Sequence, residues 1–480
     1  MAGFAEYAEH DGLGLADLVR RGETTPRELF DAAMAALERI QPGINAIACT
    51  MEGEAERALR DVAPGGPLAD APFAGVPFLA KDLVISYAGL PTSCGSRLTH
   101  GFTRPFDSEL VARFRRAGLV TIAKTTTPEL GLCASTESVL HGATRNPWHL
   151  GRAAGGSSGG SAASVAAGIA PIGHANDGGG SIRLPASCCG LVGLKPTRGR
   201  NPLGPDQGEM WAGLVAEHVV TRSVRDSAAM LDCCAGPAPG DPYQAPAGAQ
   251  PFLAALEREP PPLRVAVMVE TFAGDAVDPA CRQAVLDTAA LLEQLGHGVD
   301  RAAPRFDVAA YARAHAVILA AYLASFVDDV AAELGRTPGP DNLEPMTRWA
   351  VEEGRRLTAG DLVRAEAAVN AVSRQVAPFF AEWDILLTPT LASPPVPIGH
   401  LFGGEDGAEL RRRTLAFAPF THLFNGTGQP AISLPAGWDP DGLPIGVQLV
   451  AGYAEDALLL QLAAQLEGAR PWRHRRPVLH

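Results

Sequence analysis

Apolar positions along the chain follow two rhythms, a helical spacing and short continuous runs, and the two alternate. Residues 12–60 read as helical. There Thr25-Pro26-Arg27-Glu28 has the layout of a capping box with proline at the first helical position, and Leu29, Ala33, Leu37 and Ile40 then recur on one face. Residues 75–83 form an apolar run around Lys81 and read as a buried strand. A short helix is expected over 107–117, closed by Gly118, then a strand over 119–123 and a turn with a helix start over 124–129. Residues 142–148 read as a loop. It runs into two glycine clusters, 155–161 and 176–183, which flank an Ala-rich run of helical composition at 162–170. The sheet resumes at 190–200, a Pro/Gly/Ala-rich linker follows at 236–262, and 264–269 is a strand. Residues 278–297 and 307–382 are mostly helical, 384–389 is a late strand, and two runs flanking Asp441-Gly442 read as a hairpin. Residues 458–466 form the last helix. Helix followed by strand recurs, which is the pattern of an α/β sheet.

At 480 residues the chain is long enough to bury a large core, and 46% apolar against 19% charged residues mark it as globular. The net charge of −13 makes it a poor partner for nucleic acid. The first twelve residues lack the layout of a signal peptide, and the longest apolar run, 316–327, stops at Asp328, too short to span a bilayer. A cytoplasmic protein that does not engage membranes is the expectation. The cysteine pairs Cys188-Cys189 and Cys233-Cys234 do not have the spacing of zinc or redox sites, so the eight cysteines read as small buried apolar residues. No metal and no cofactor is expected, and the basic tail 470–476 reads as a solvated end.

The chemistry gathers at the glycine clusters. Ser181 follows Gly178-Gly179-Gly180, so its hydroxyl can sit beside a cradle of backbone N–H groups, the arrangement of an attacking serine with an oxyanion hole. Losing one such donor typically costs about 3 kcal/mol of barrier. A serine needs a base, and His141, His149, His174 and His218 flank the region without a telling context. Gly156-Ser157-Ser158-Gly159-Gly160 satisfies the GxSxG pattern, but the residues before it are not strand-like, which argues against a nucleophile elbow. Lys81 is the other candidate. Asp82 is adjacent, but successive strand residues face opposite ways, so Asp82 should not be its partner. An inward lysine without a carboxylate loses its proton readily.

The run GGSSGGS, NDGGGSIRLPAS and CGLVGLKPTRGR, with the earlier GVPFLAKDL, resembles the amidase signature family. KTTTPELG, DILLTPT, GQPAISLP and GLPIGVQLVA extend the match over nearly the whole chain. The resemblance implies one large α/β domain with a central mixed β-sheet flanked by helices, plus a helical substrate-pocket layer. Its core would cover about 64–235, 263–300 and 384–467, with the pocket or lid layer at 301–383 and an N-terminal helical cover at 1–63. Residue by residue, Ser181 resembles the nucleophile, Ser157 the bridging serine that follows a cis peptide bond, and Lys81 the proton acceptor. Gly178, Gly179 and Gly180 would form the oxyanion hole, while Ser158, Asp177 and Arg183 would hold the two loops, the last two as an ion pair. Lys81 must then be neutral when the substrate arrives. Bringing a lysine from about 10.4 to about 7 means destabilising the ammonium by on the order of 4 kcal/mol.

One departure is Gly178, where the family commonly has a larger residue; a third glycine predicts a more open pocket floor. GATRNPWHLGR, the central block and the C-terminal hairpin are particularly similar to bacterial 6-aminohexanoate-cyclic-dimer hydrolases, which implies a small-molecule amide substrate, secondary or cyclic, with apolar chains. Carbamates and esters are further candidates. Trp148, Trp211 and Trp349 are expected around the pocket, and the state as monomer or homodimer. The rivals are the A subunit of a glutamyl-tRNA amidotransferase, which shares the triad, and a non-catalytic anion-binding protein built on the glycine nest.

Overall fold

In the computed structural model, which describes residues 6–478, the apolar runs assemble into one eleven-stranded mixed sheet. The first five residues of the expected N-terminal cover, the start of the stretch read for a signal peptide, and the last two residues lie outside the described range. In chain order the strands are β1 (Ile47–Thr50), β2 (Pro77–Lys81), β3 (Val120–Thr125), β4 (Ile172–Asp177), β5 (Val192–Lys195), β6 (Ala216–Thr221), β7 (Arg264–Val267), β8 (Gly298–Arg301), β9 (Ile385–Pro389), β10 (Ala431–Trp438) and β11 (Pro444–Ala451). Across the sheet they run β1-β3-β2-β4-β6-β5-β10-β11-β9-β7-β8. β2 pairs parallel with β3 and β4, and β7 pairs parallel with β8 and β9; the remaining pairs are antiparallel. Among the described residues, no helix is long and apolar enough to cross a membrane.

The strands at 47–50, 172–177, 216–221 and 298–301 have no counterpart in the sequence reading. The stretch read as helical is three helices, Gly12–Arg20, α1 (Pro26–Ile44) and Glu52–Asp61, the first two parted by a turn at 21–25 and the last two by β1. Four residues are too few for a periodicity to show, and β1 exists because it adds to the edge of β3. The capping box at Thr25 and Glu28 forms as its residues require. A two-stranded ribbon, Arg145–Asn146 with His149–Ala153, stands where a loop and non-strand residues were expected, just before α2 (Gly159–Ala166).

One apolar core lies under the N-terminal helices and strands β2–β4, and another joins β5, β7 and β9–β11 to the helices Pro279–Gln294 and Asp456–Ala469. A helical layer covers the remaining part of the sheet: α4 (Val308–Leu334), α5 (Pro345–Arg355) and α6 (Ala359–Val376), numbered after the short α3 (Arg183–Cys189). Tyr311 and Ile318 of α4 and Val369 and Val372 of α6 bury their side chains with Leu386, Phe420 and Phe424. Helix α7 (Gly407–Phe417), in the range expected for the core, packs on α5 and belongs spatially to this layer. Six cysteines are buried as expected, whereas Cys49 is exposed and Cys233 half-buried.

Candidate active site

Three adjacent strands set the site. β2 ends at Lys81, β4 lies beside it, and β6 pairs with β4 so that Glu217 stands opposite Asn176 and Val219 opposite His174. Lys81 is fully buried. Its Nζ lies 2.7 Å from Ser157 Oγ, 2.9 Å from Ser158 Oγ and 2.6 Å from Asn176 Oδ1. Asn176 was quoted in the glycine motif without a role; its contact becomes visible only once β4 is known to be a strand beside β2. Asp82 does face away. It accepts from the Ser93 amide at 3.0 Å and stands 3.4 Å from Lys124 Nζ.

Burial pushes the Lys81 amine down to about 7, against the upward pull of the Glu217 and Asp177 charges. A neutral amine has two N–H bonds and a lone pair. Asn176 Oδ1 can only accept, and Ser158 donates its own proton toward Asn176 O at 3.4 Å, so both take protons from Lys81. The lone pair is left facing the Ser157 hydroxyl. Behind the strand, the Lys81 amide donates to His174 Nδ1 at 3.3 Å, which places the His174 proton on Nε2, 2.6 Å from Glu217. His174, without a telling context in the sequence, is thus the residue that seats the Lys81 backbone.

The Gly156–Ser157 peptide is cis. The ribbon before it and α2 after it give GxSxG a strand-turn-helix setting, yet Ser158 is fully buried with its hydroxyl on Lys81. An elbow nucleophile is exposed, so the pattern is not an elbow.

Adjacent residues on β4 point to opposite faces, so Asp177 serves the other side of the sheet from Asn176. Its carboxylate receives Arg183 Nη2 and Nε, each at 2.9 Å, and both side chains are fully buried. Burial pushes the Asp177 carboxyl up, but the charge and hydrogen bonds of Arg183, joined by Asn425, hold it well below the usual carboxylate range. Arg183 also donates to Gln448 Oε1 and Asn425 Oδ1. These four side chains pin the loop that carries Ser181.

The oxyanion cradle differs from expectation at Gly180. Its amide donates to Asp177 Oδ1 at 2.6 Å, so it has no proton left for a substrate oxygen. Gly180 is needed for its backbone: φ is +137°, and a Cβ there would sit 2.4 Å from Thr421 Oγ1. Among the described residues the amides of Gly178, Gly179 and Ser181 make no hydrogen bond to protein. All three residues line a cavity of about 60 Å³ together with Gly131, Gly156, Leu184, Trp211, His315 and His422. The structure joins Lys81 to Ser157 directly; Ser181 makes no hydrogen bond to Ser157 and lies in the wall of the cavity that Gly131 and Gly156 also line.

Gly178 does not open the floor as expected. A Cβ on it would lie 2.6 Å from Trp211 Cζ3, so the indole fills the space the glycine leaves. Trp349 lines a second, wider cavity of about 810 Å³ that shares His315, Leu319, Arg411, Leu415 and His422 with the inner one. Trp148 lines neither; it packs on Trp438 and donates to Cys189 O. His315 and Arg411 come from the helical layer and His422 from the turn before the short helix Leu423–Thr427, and no motif announces them.

The profile of the amidase family matches residues 28–460 of this chain. The chain belongs to the amidase signature family. It is 41% identical to the 6-aminohexanoate-cyclic-dimer hydrolase of Paenarthrobacter ureafaciens over 98% of this chain and 96% of that one. With the enzyme of that name from Pseudomonas sp. (strain NK87) it shares 40% identity over the same proportions. The solved structure of a 6-aminohexanoate cyclic dimer hydrolase in complex with substrate superposes with a TM-score of 0.93 at 39% identity, covering 98% of this chain and 99% of that one. This amidase is therefore a hydrolase of C–N bonds with the fold of its family.

Proposed function

We propose that this amidase hydrolyses secondary or cyclic amides with apolar chains through an acyl-enzyme, using Ser181 as nucleophile, Ser157 as proton bridge and Lys81 as base. The observation that carries it is a fully buried amine 2.7 Å from the Ser157 hydroxyl, its proton affinity lowered by that burial to about 7. Ser181 Oγ attacks the amide carbon while its proton passes to Ser157 and the Ser157 proton to Lys81. The oxygen, now negative, is met by the amides of Gly178, Gly179 and Ser181. Collapse breaks the C–N bond, and Lys81 returns the proton through Ser157 to the leaving nitrogen. Water then enters along the same relay and releases the carboxylic acid.

Asp177, Arg183, Asn425 and Gln448 hold the loop and touch no reacting atom. The apolar outer cavity suits the aliphatic or aryl portions of secondary amides, lactams, carbamates and esters. The test is turnover of a panel of these compounds together with labelling by a fluorophosphonate. Ser181→Ala should abolish both with the fold intact, and Lys81→Met should lower turnover by several orders of magnitude. Retained labelling in Ser181→Ala, or hydrolysis confined to glutamine in the presence of partner subunits, would overturn the proposal.

A further inference from the structure

The inner and outer cavities meet at Arg411, which lines both. Its neighbours on α7 are engaged: Arg412 and Arg413 both pair with Glu409, at 2.7 and 2.8 Å. Arg411 has one polar contact among the described residues, its Nη2 to His315 Nδ1 at 3.4 Å, and no acid within ion-pair distance. Two acids line the outer cavity, and each is occupied elsewhere, Glu353 with Arg356 and Asp275 with Thr271.

The groups around the guanidinium carry no compensating charge. Burial, and then the Arg411 charge itself, lowers His315 well below its ordinary range and His422 to about 4, so both rings are neutral at physiological pH. Burial pushes the Cys133 thiol up to about 12, so it is neutral as well. Arg411 itself falls only to about 10 and stays charged. Arg411 is half-buried; an unpaired cation removed even partly from water into a largely apolar setting is costly, and a guanidinium fork matches a carboxylate with two parallel hydrogen bonds. In the outer cavity that Arg411 also lines, Phe272, Phe306, Leu319 and Trp349 offer room for an uncharged chain.

We propose that Arg411 binds a carboxylate on the substrate, so that the preferred amides of this enzyme carry an anionic group joined by an apolar spacer to the bond that is cut. This rests on the assignment of Ser181 as the nucleophile only for the direction in which the spacer runs. The anion site is independent of turnover.

Two measurements test it. The first is calorimetric binding of hexanoate and hexanamide to Ser181→Ala, alone and combined with Arg411→Gln. Hexanoate should bind at least tenfold tighter than hexanamide, and Arg411→Gln should erase that difference. The second is kcat/KM on adipic acid monoanilide against hexananilide, which differ only in the terminal carboxylate. The acid should be favoured about tenfold or more, the ratio should fall toward one in Arg411→Gln, and Arg411→Lys, which keeps the charge, should lie between. Equal binding of the two probes, or a ratio that Arg411→Gln leaves unchanged, would overturn the proposal. If neither anilide is cleaved, the hydrolytic assignment for such amides fails, while the calorimetry still decides the anion site.

Discussion

Replacing Lys81 by methionine should change how stability depends on pH, and by a predictable amount. The Lys81 amine is fully buried and falls from the ordinary 10.5 to about 7. At 1.36 kcal/mol per unit, that displacement corresponds to a penalty of about 5 kcal/mol on the charged folded form. Below pH 7 both folded and unfolded chains hold the proton, and the whole penalty is present. Between pH 7 and 10.5 only the unfolded chain holds it, so stability rises with pH by about 1.4 kcal/mol per unit.

Methionine has no proton to bind, so Lys81→Met lacks this slope. It also loses the hydrogen bonds to Ser157, Ser158 and Asn176, but that loss does not vary with pH in this window. Lys195, likewise buried and lowered to about 7, is present in both proteins and cancels in the difference. Equilibrium urea unfolding at pH 6, 7, 8 and 9 reads the effect. The stability of the parent relative to Lys81→Met should be flat up to pH 7 and then climb by about 3 kcal/mol by pH 9. A difference independent of pH across that range would mean the amine is not displaced, and the proposed base would lose its physical footing.

Three further perturbations probe the surroundings. Glu217→Gln removes a charge that holds the Lys81 amine up, so the acidic limb of the kcat/KM profile should move to lower pH; an unmoved limb would show that Glu217 and Lys81 are not coupled. Asp177→Ala leaves the Arg183 guanidinium buried without its counter-charge, and the urea midpoint should fall by the equivalent of about 3–5 kcal/mol, with a loss below about 1 kcal/mol counting against the ion pair as the anchor of the loop. Gly178→Ala places a methyl against the Trp211 indole and should lower kcat/KM about tenfold by displacing it (a barrier increase of about 1.4 kcal/mol); adding Trp211→Ala should restore activity, and a neutral Gly178→Ala would refute the packing.

Much of this molecule was readable from local pattern. The apolar run around Lys81 had to be a buried strand, and strand alternation alone separated Lys81 from Asp82, which turns instead to Lys124 and Ser93. The capping box at Thr25 and the hairpin at Asp441-Gly442 formed as their residues require. Other features were hidden because their cause is not local. β1 and β8 are four residues each and exist through their sheet neighbours. Gly180 looked like a third oxyanion donor, and only the position of the Asp177 carboxylate shows that its amide is taken. Gly178 looked like open space, which a tryptophan from a separate loop fills.

What the chain determined by itself is the chemistry its backbone allows: glycine clusters able to turn a loop into a cradle of amides, a serine at its end, and a lysine in a strand apolar enough to lower its proton affinity. Those depend on a residue and its immediate neighbours. Tertiary structure alone decided which groups share the interior with that lysine, with Asn176 and His174 arriving on β4 and Glu217 on β6. It also decided that Arg411 enters the cavity from the helical layer without an acid beside it. Charge and proton affinity depend on every group within a few ångströms, and in a folded chain most of those groups are distant in sequence.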